Sequence, residues 1–155
     1  MDLWEYTLLD DGTYALNDLE SVAQTGTRTA GYTGNIIDGK IEGTIPQYLK
    51  SNTDNEFIKV TSLQSMFYGI SDLIEAPVIP SMVTNLKETF QNTGLKEMPE
   101  IPNGVIDMTS TFYRCINLSE LKDIPDTVTN ISYCFSNCTS LTNINIELGK
   151  NVINM

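Results

Sequence analysis

Val128-Thr129-Asn130-Ile131-Ser132-Tyr133-Cys134-Phe135 is the last of four versions of one phrase. The others are Val60-Thr61-Ser62-Leu63-Gln64-Ser65-Met66-Phe67, Val83-Thr84-Asn85-Leu86-Lys87-Glu88-Thr89-Phe90 and Val105-Ile106-Asp107-Met108-Thr109-Ser110-Thr111-Phe112. Their phenylalanines, Phe67, Phe90, Phe112 and Phe135, lie 23, 22 and 23 residues apart. A second apolar pair succeeds each: Leu73 with Ala76, Leu95 with Met98, Leu118 with Leu121, and Leu141 with Ile144. Ile79-Pro80, Ile101-Pro102 and Ile124-Pro125 then open the next unit, each proline ten residues before its phenylalanine. Ile45-Pro46 fits the same role ahead of a longer loop, Gln47 to Lys59. A fixed period in the low twenties predicts a repeat solenoid.

One such unit carries an apolar stripe that it cannot bury alone, so units stack and each covers the next. The phenylalanine is the largest constant core element, and burying one contributes about 1.5–3 kcal/mol. The Leu-x-x-(Leu/Ile/Met) segment before Ile-Pro is the expected strand, short and parallel to its equivalents, with Pro77 and Pro99 closing two of them where a missing N–H is tolerated. The Val-x-x-Leu-x-x-x-Phe stretch has helical spacing in poor helix formers, Thr, Ser and Asn. A short extended run ending in one helical or 3₁₀ turn is predicted there. The fold class is therefore α/β to mainly β: a stack of ~23-residue coils with a short parallel sheet.

The chain has 155 residues, 9 Lys+Arg against 20 Asp+Glu, and a net charge of −11. That length suits one domain. With no basic cluster, neither nucleic acid nor an anionic lipid surface is an expected partner. No apolar run approaches the roughly 18 residues of a membrane span, and no membrane insertion is expected. The first 27 residues hold Asp2, Glu5, Asp10, Asp11, Asp18 and Glu20 and no Lys or Arg. Met1-Asp2-Leu3-Trp4-Glu5 is acidic where a signal peptide begins basic. The residues leave open whether the protein is cytoplasmic or a leader is missing from this chain.

The phrase Ile-Pro-x-x-Val-Thr-Asn-Ile-x-x-x-Phe-x-x-Cys-x-x-Leu-x-x-Ile, read from Ile124, resembles the BspA-type leucine-rich repeat of bacterial cell-surface proteins. Asp11-Gly12-Thr13-Tyr14 and Ala30-Gly31-Tyr32-Thr33-Gly34 resemble the amino-terminal cap of such arrays. On this resemblance residues 1–44 are a cap and residues 45–155 the repeats. The phrase's Cys is Ile70 in the first full unit and Thr93 in the second, which is one residue shorter. The resemblance implies a right-handed solenoid, usually exported, often an adhesin or ligand-binding module, with no shared ligand. Asn151-Val152-Ile153-Asn154-Met155 repeats the start of a further unit, so an incomplete last repeat is expected, either in a fragment of a longer array or as a degenerate last coil that caps by itself.

There is no histidine. That removes Ser-His-Asp and Cys-His catalysis and any His-ligated metal; no catalytic residue, metal or cofactor is assigned. Cys115 and Cys138 share a repeat position and should stack about 4.8 Å apart. A disulfide is conceivable there; the other reading is a ladder of small buried thiols. Three cysteines, with Cys134, leave at least one free. Ser62, Asn85, Asp107, Asn130 and Asn154 recur two residues after the repeat's Val, where short polar side chains bond turn backbone. Three Asn-x-Ser/Thr sequons, at Asn117, Asn130 and Asn137, arise from the Asn- and Ser-rich repeat.

Two residues after the strand Leu stand Glu75, Glu97, Glu120 and Asn143, with Glu100 and Asp123 three residues beyond two of them. Stacked like charges cost a few tenths to about 1 kcal/mol each. The column therefore reads either as a face for a cationic partner or Ca²⁺, or as a solvated face that keeps a sheet dispersed. Tyr68 and Tyr113, each directly after a Phe, suit sugar or protein contact or packing between coils. The leading expectation is a monomeric, non-enzymatic extracellular module that recognises a protein or glycan, host-derived in one version. The alternatives are a spacer of a larger surface protein, a carboxylate-pair hydrolase, and an intracellular acidic decoy.

Overall fold

A computed structural model describes residues 6–16, 30–51, 56–142 and 144–155. Asp2, Glu5, Asp18, Glu20 and the Asn143 position of the acidic column lie outside the described residues. The described residues hold six strands: β1 Thr7–Leu8, β2 Tyr14–Ala15, β3 Ile36–Ile37, β4 Lys40–Ile41, β5 Tyr48–Lys50 and β6 Phe57–Ser62. One small sheet has the order β1-β2-β6-β5, and β3-β4 is a separate hairpin. Within the first sheet β2 and β6 run parallel and the other pairs antiparallel. No helix occurs among the described residues.

Beyond β6 the repeats join through single parallel bridges, Ser62↔Asn85↔Asp107↔Asn130↔Asn154, and one further bridge, Glu97↔Glu120. The more continuous ladder thus lies at the Val-x-Asn column, not at the Leu-x-x-Leu segment where the apolar pattern puts a strand. The side chains of that column explain the preference. Oδ1 of Asn85, Asp107 and Asn130 accepts from the N–H two residues on, at 2.8, 2.8 and 3.0 Å. Each thereby fixes its strand end and starts a turn.

Past this column each repeat runs through a series of β-turns rather than the helical turn the spacing suggests. In every repeat the residues two before and two after the phenylalanine have positive φ: Ser65 and Gly69, Glu88 and Asn92, Ser110 and Arg114, Tyr133 and Asn137. No α-helix accommodates a left-handed residue every fourth position. With the chain kinked this way, backbone amides divide into two alternating sets. The N–H groups of Leu86, Glu88, Phe90 and Asn92 donate to Asp107, Thr109, Thr111 and Tyr113 of the next repeat, at 2.8–3.0 Å. Those of Thr89, Gln91 and Thr93 close turns onto Leu86, Glu88 and Phe90 of their own repeat. Leu63 to Ile70 and Met108 to Cys115 show the same alternation.

The alternation stacks the phenylalanines. Successive ring centroids lie 5.4, 5.6 and 5.7 Å apart, with planes within 8° of parallel. These separations exceed the roughly 4.8 Å between strands, so the rings are offset, the arrangement their quadrupoles favour. Tyr32 packs on the first ring at 5.8 Å. Phe67, Phe90 and Phe112 are wholly buried, and Phe135 is half-buried. Val60, Val83, Val105 and Val128 and Leu73, Leu95 and Leu118 line the same core.

Buried polar atoms here bond between repeats. Thr89 and Thr111 hydroxyls donate to the carbonyls of Leu63 and Leu86, both at 2.8 Å. Cys115 and Cys138 thiols donate to those of Phe90 and Phe112, both at 3.0 Å. All three cysteines are free and buried, so the structure holds a thiol ladder and no disulfide. Burial raises all three thiol pKa values, that of Cys138 to about 12. The second repeat loses its residue at the corner before Leu95, where Gly94 lies against the Ser71 carbonyl oxygen with no room for a Cβ.

Phe112→Ala should lower unfolding free energy by about 3–5 kcal/mol in urea titration, and Phe135→Ala by visibly less, since its ring has a neighbour on one face only. Arg114→Gly should be neutral or stabilising by up to ~1 kcal/mol, although it deletes a whole side chain; Arg114→Val should destabilise. The raised thiol pKa values mean that the unfolded chain releases its thiol protons first as pH rises. Their contribution is complete below about pH 9 and falls between there and about 12. A pH series of melts should show this loss, and Cys134→Ala should reduce it.

Candidate functional site

The second half of each repeat is built differently. In Leu95-Lys96-Glu97-Met98-Pro99-Glu100-Ile101-Pro102, the residues at every third position, Leu95, Met98 and Ile101, are buried, while Lys96, Glu97 and Glu100 are exposed. Bonds from Ser119 N–H to the Lys96 carbonyl and from Met98 N–H to the Glu120 carbonyl, both 2.9 Å, hold the Glu97↔Glu120 bridge. Past it the ladder stops. Pro77, Pro80, Pro99 and Pro102 have no N–H to give, and no backbone hydrogen bond joins residues 76–82 to residues 99–104. Between these two unpaired segments lies a groove of about 550 Å³.

Its walls are apolar, from Ala76, Pro77, Ile79, Met98, Pro99 and Ile101, and Val78 stands 88% exposed at its edge. Glu75, Glu97, Glu100, Lys96 and Lys122 also line it. A second depression of about 250 Å³ shares Glu75, Ala76, Pro77 and Val78 and extends to Lys40, Ile41, Gly43 and Thr44. The extension depends on the β3–β4 hairpin. Asp38 and Gly39 have φ of 50° and 81°, both positive as a two-residue type I′ turn requires. The Gly39 carbonyl accepts from Ile74 and Glu75 N–H at 2.8 and 3.0 Å.

Charges along this face are unequal in their partners. Glu75 pairs with Lys40 at 2.8 Å and Glu100 with Lys122 at 2.9 Å. Exposed pairs of this kind contribute little to stability. Glu97 and Glu120, adjacent through their bridge, have no ion pair among the described residues. Asp123 is occupied otherwise: its Oδ1 accepts from Glu147 N–H at 2.8 Å. Tyr68 and Tyr113 are half-buried and do not line the groove. The structure therefore brings Glu75, Glu97 and Glu100 to one groove, sets Glu120 next to Glu97, and leaves both tyrosines elsewhere.

Sequence reasoning missed Lys40, Lys96, Lys122 and Val78. Asp38-Gly39 is a readable hairpin signal that carries Lys40 to this face. Among the described residues no group of three or more Cys, Asp or Glu is placed to hold a metal ion, and no helix is long and apolar enough to cross a membrane. What the groove offers is an apolar channel with free carboxylates beside it. Such a surface suits an extended segment that carries both apolar and basic groups.

No curated protein and no solved structure matches this chain. The BspA type leucine rich repeat region matches it in six copies over residues 61–155, well over half its length. Repeats of this kind are generally non-enzymatic and serve recognition. On that match, and with its phenylalanine-centred repeats laid one on the next, the chain belongs to the BspA type leucine-rich-repeat family.

Proposed function

We propose that this protein is a non-enzymatic recognition module of the cell surface that binds a protein partner along the proline-lined groove. In this reading residues 1–44 cap a right-handed solenoid formed by residues 45–155. The observation that carries the proposal is the pair of unpaired carboxylates, Glu97 and Glu120, beside an apolar groove. Like charges held one strand apart cost stability, and a basic side chain of the partner relieves that cost on binding. Prolines deny the groove its own backbone bonds, so an extended ligand meets carbonyls as well as apolar walls. The family match supports recognition in general, and the groove's chemistry selects a basic, extended protein segment over a neutral sugar.

The test is binding of the purified chain to immobilised matrix proteins, mucin and a glycan array, at low and moderate salt. A protein hit that weakens with salt, and about tenfold further in the Glu97→Lys/Glu120→Lys double variant, is the expected result. The melting temperature of that variant should be unchanged or higher. Silence across the panel from a folded chain overturns the reading in favour of a spacer, and a salt-independent glycan hit overturns the choice of partner.

A further inference from the structure

The outer face of the β5–β6 pair is basic and aromatic on a molecule that is otherwise acidic. Burial alternates along both strands. Leu49, Ile58 and Val60 pack against the core, while Tyr48, Lys50, Phe57 and Lys59 stand outward. The register sets Tyr48 opposite Lys59 and Lys50 opposite Phe57, so each aromatic has a lysine across the pair. Phe57 is 72% exposed, and neither lysine has an ion pair among the described residues. β5 pairs with β6 alone and forms the edge of its sheet, where a row of backbone groups stays open. Lysines by themselves keep such an edge from pairing; exposed rings beside them mark a contact site.

The proline-lined groove is complementary to this face in three respects. Its apolar walls suit aromatic rings. Its unpaired carboxylates, Glu97 and Glu120, stand one strand spacing apart, about 4.8 Å. Lys50 and Lys59 lie on one diagonal of β5–β6, about 7–8 Å apart, within reach of both carboxylates on their flexible stems. Finally, the carbonyls of Pro77, Val78, Pro99 and Glu100 accept no backbone N–H among the described residues, and an edge strand supplies such donors. Within one chain the two surfaces are separate, because no residue of β5 or β6 lines the groove. They meet only between copies, and the contact is heterologous: each copy carries one groove and one strand face, so association continues past two. Each ring brings about 150–250 Å² to the contact, and copies of net charge −11 repel one another. The contact is therefore weak and reversible.

We propose that the groove takes the β5–β6 face of a second copy of this chain, with Tyr48 and Phe57 between the prolines and Lys50 and Lys59 on Glu97 and Glu120. The contact rests on the groove being a recognition site, and it names the partner. The test is sedimentation velocity over a concentration series at about 0.15 M salt, where repulsion beyond about 8 Å is screened. The unaltered chain should associate reversibly. Two variants should each stay monomeric alone: Glu97→Lys/Glu120→Lys, which spoils the groove, and Phe57→Ala/Lys59→Ala, which spoils the strand face. All four positions are exposed, and thermal melts check that both variants fold. Mixed, the two should associate again and stop at a one-to-one complex, since the mixture holds one intact groove and one intact strand face. Association kept by either variant alone, a mixture that stays monomeric, or an unaltered chain that is monomeric up to about 1 mM would each overturn the proposal. The Phe57→Ala/Lys59→Ala chain keeps its groove. A panel protein that it still binds, and that Glu97→Lys/Glu120→Lys loses, would leave the groove a recognition site when self-association fails.

Discussion

Everything in this chain rests on how its backbone amides are shared. The Ser-, Thr- and Asn-rich sequence of each repeat resists a helix. Positive φ on both sides of each phenylalanine sends every second N–H into the neighbouring repeat and keeps the others for turns. Inside the stack, backbone donors so find partners without regular secondary structure, which a buried backbone demands. The phenylalanine stack is a consequence: the residue between two left-handed positions is carried inward each time, and its ring lands on the one before.

The same sharing explains where the protein is smooth and where it is indented. Threonine and cysteine beside the rings complete the ladder with side-chain donors, and that side of the molecule is dense. On the other side prolines withdraw donors and the ladder lapses between residues 76–82 and 99–104. The groove is the space left by that lapse. One of its acidic members, Glu97, sits at the last bridge before the interruption, Glu97↔Glu120, so that charge and the hollow have a common structural origin.

Most of the architecture is legible because the period is. Phe67, Phe90, Phe112 and Phe135 announce the stack, and the recurring Asn and Asp announce turns that their side chains do make. The expected helical turn fails for a specific reason: spacing of three and four is shared by helices and by linked β-turns, and nothing about Glu88 or Arg114 advertises positive φ. The expected parallel pairing at the Leu-x-x-Leu segment appears at the Glu97↔Glu120 bridge, while the more continuous ladder follows the Asx residues, because apolar periodicity marks burial and not pairing. Of the site, the acidic column is readable as a period, but its pairing with Lys40 and Lys122 is not, since those lysines obey no repeat. Tyr68 and Tyr113 allow contact or packing between coils on sequence alone, and both are partly buried.

The second repeat is a residue short, yet the rings on either side of Phe90 sit at 5.4 and 5.6 Å, as though nothing were missing. The deficit is absorbed at Gly94, pressed against Ser71. Spacing along the stack is therefore dictated by the hydrogen-bonded layers and is indifferent to how many residues turn the corner. That corner is a natural place for such a gene to lose a codon without disturbing its neighbours.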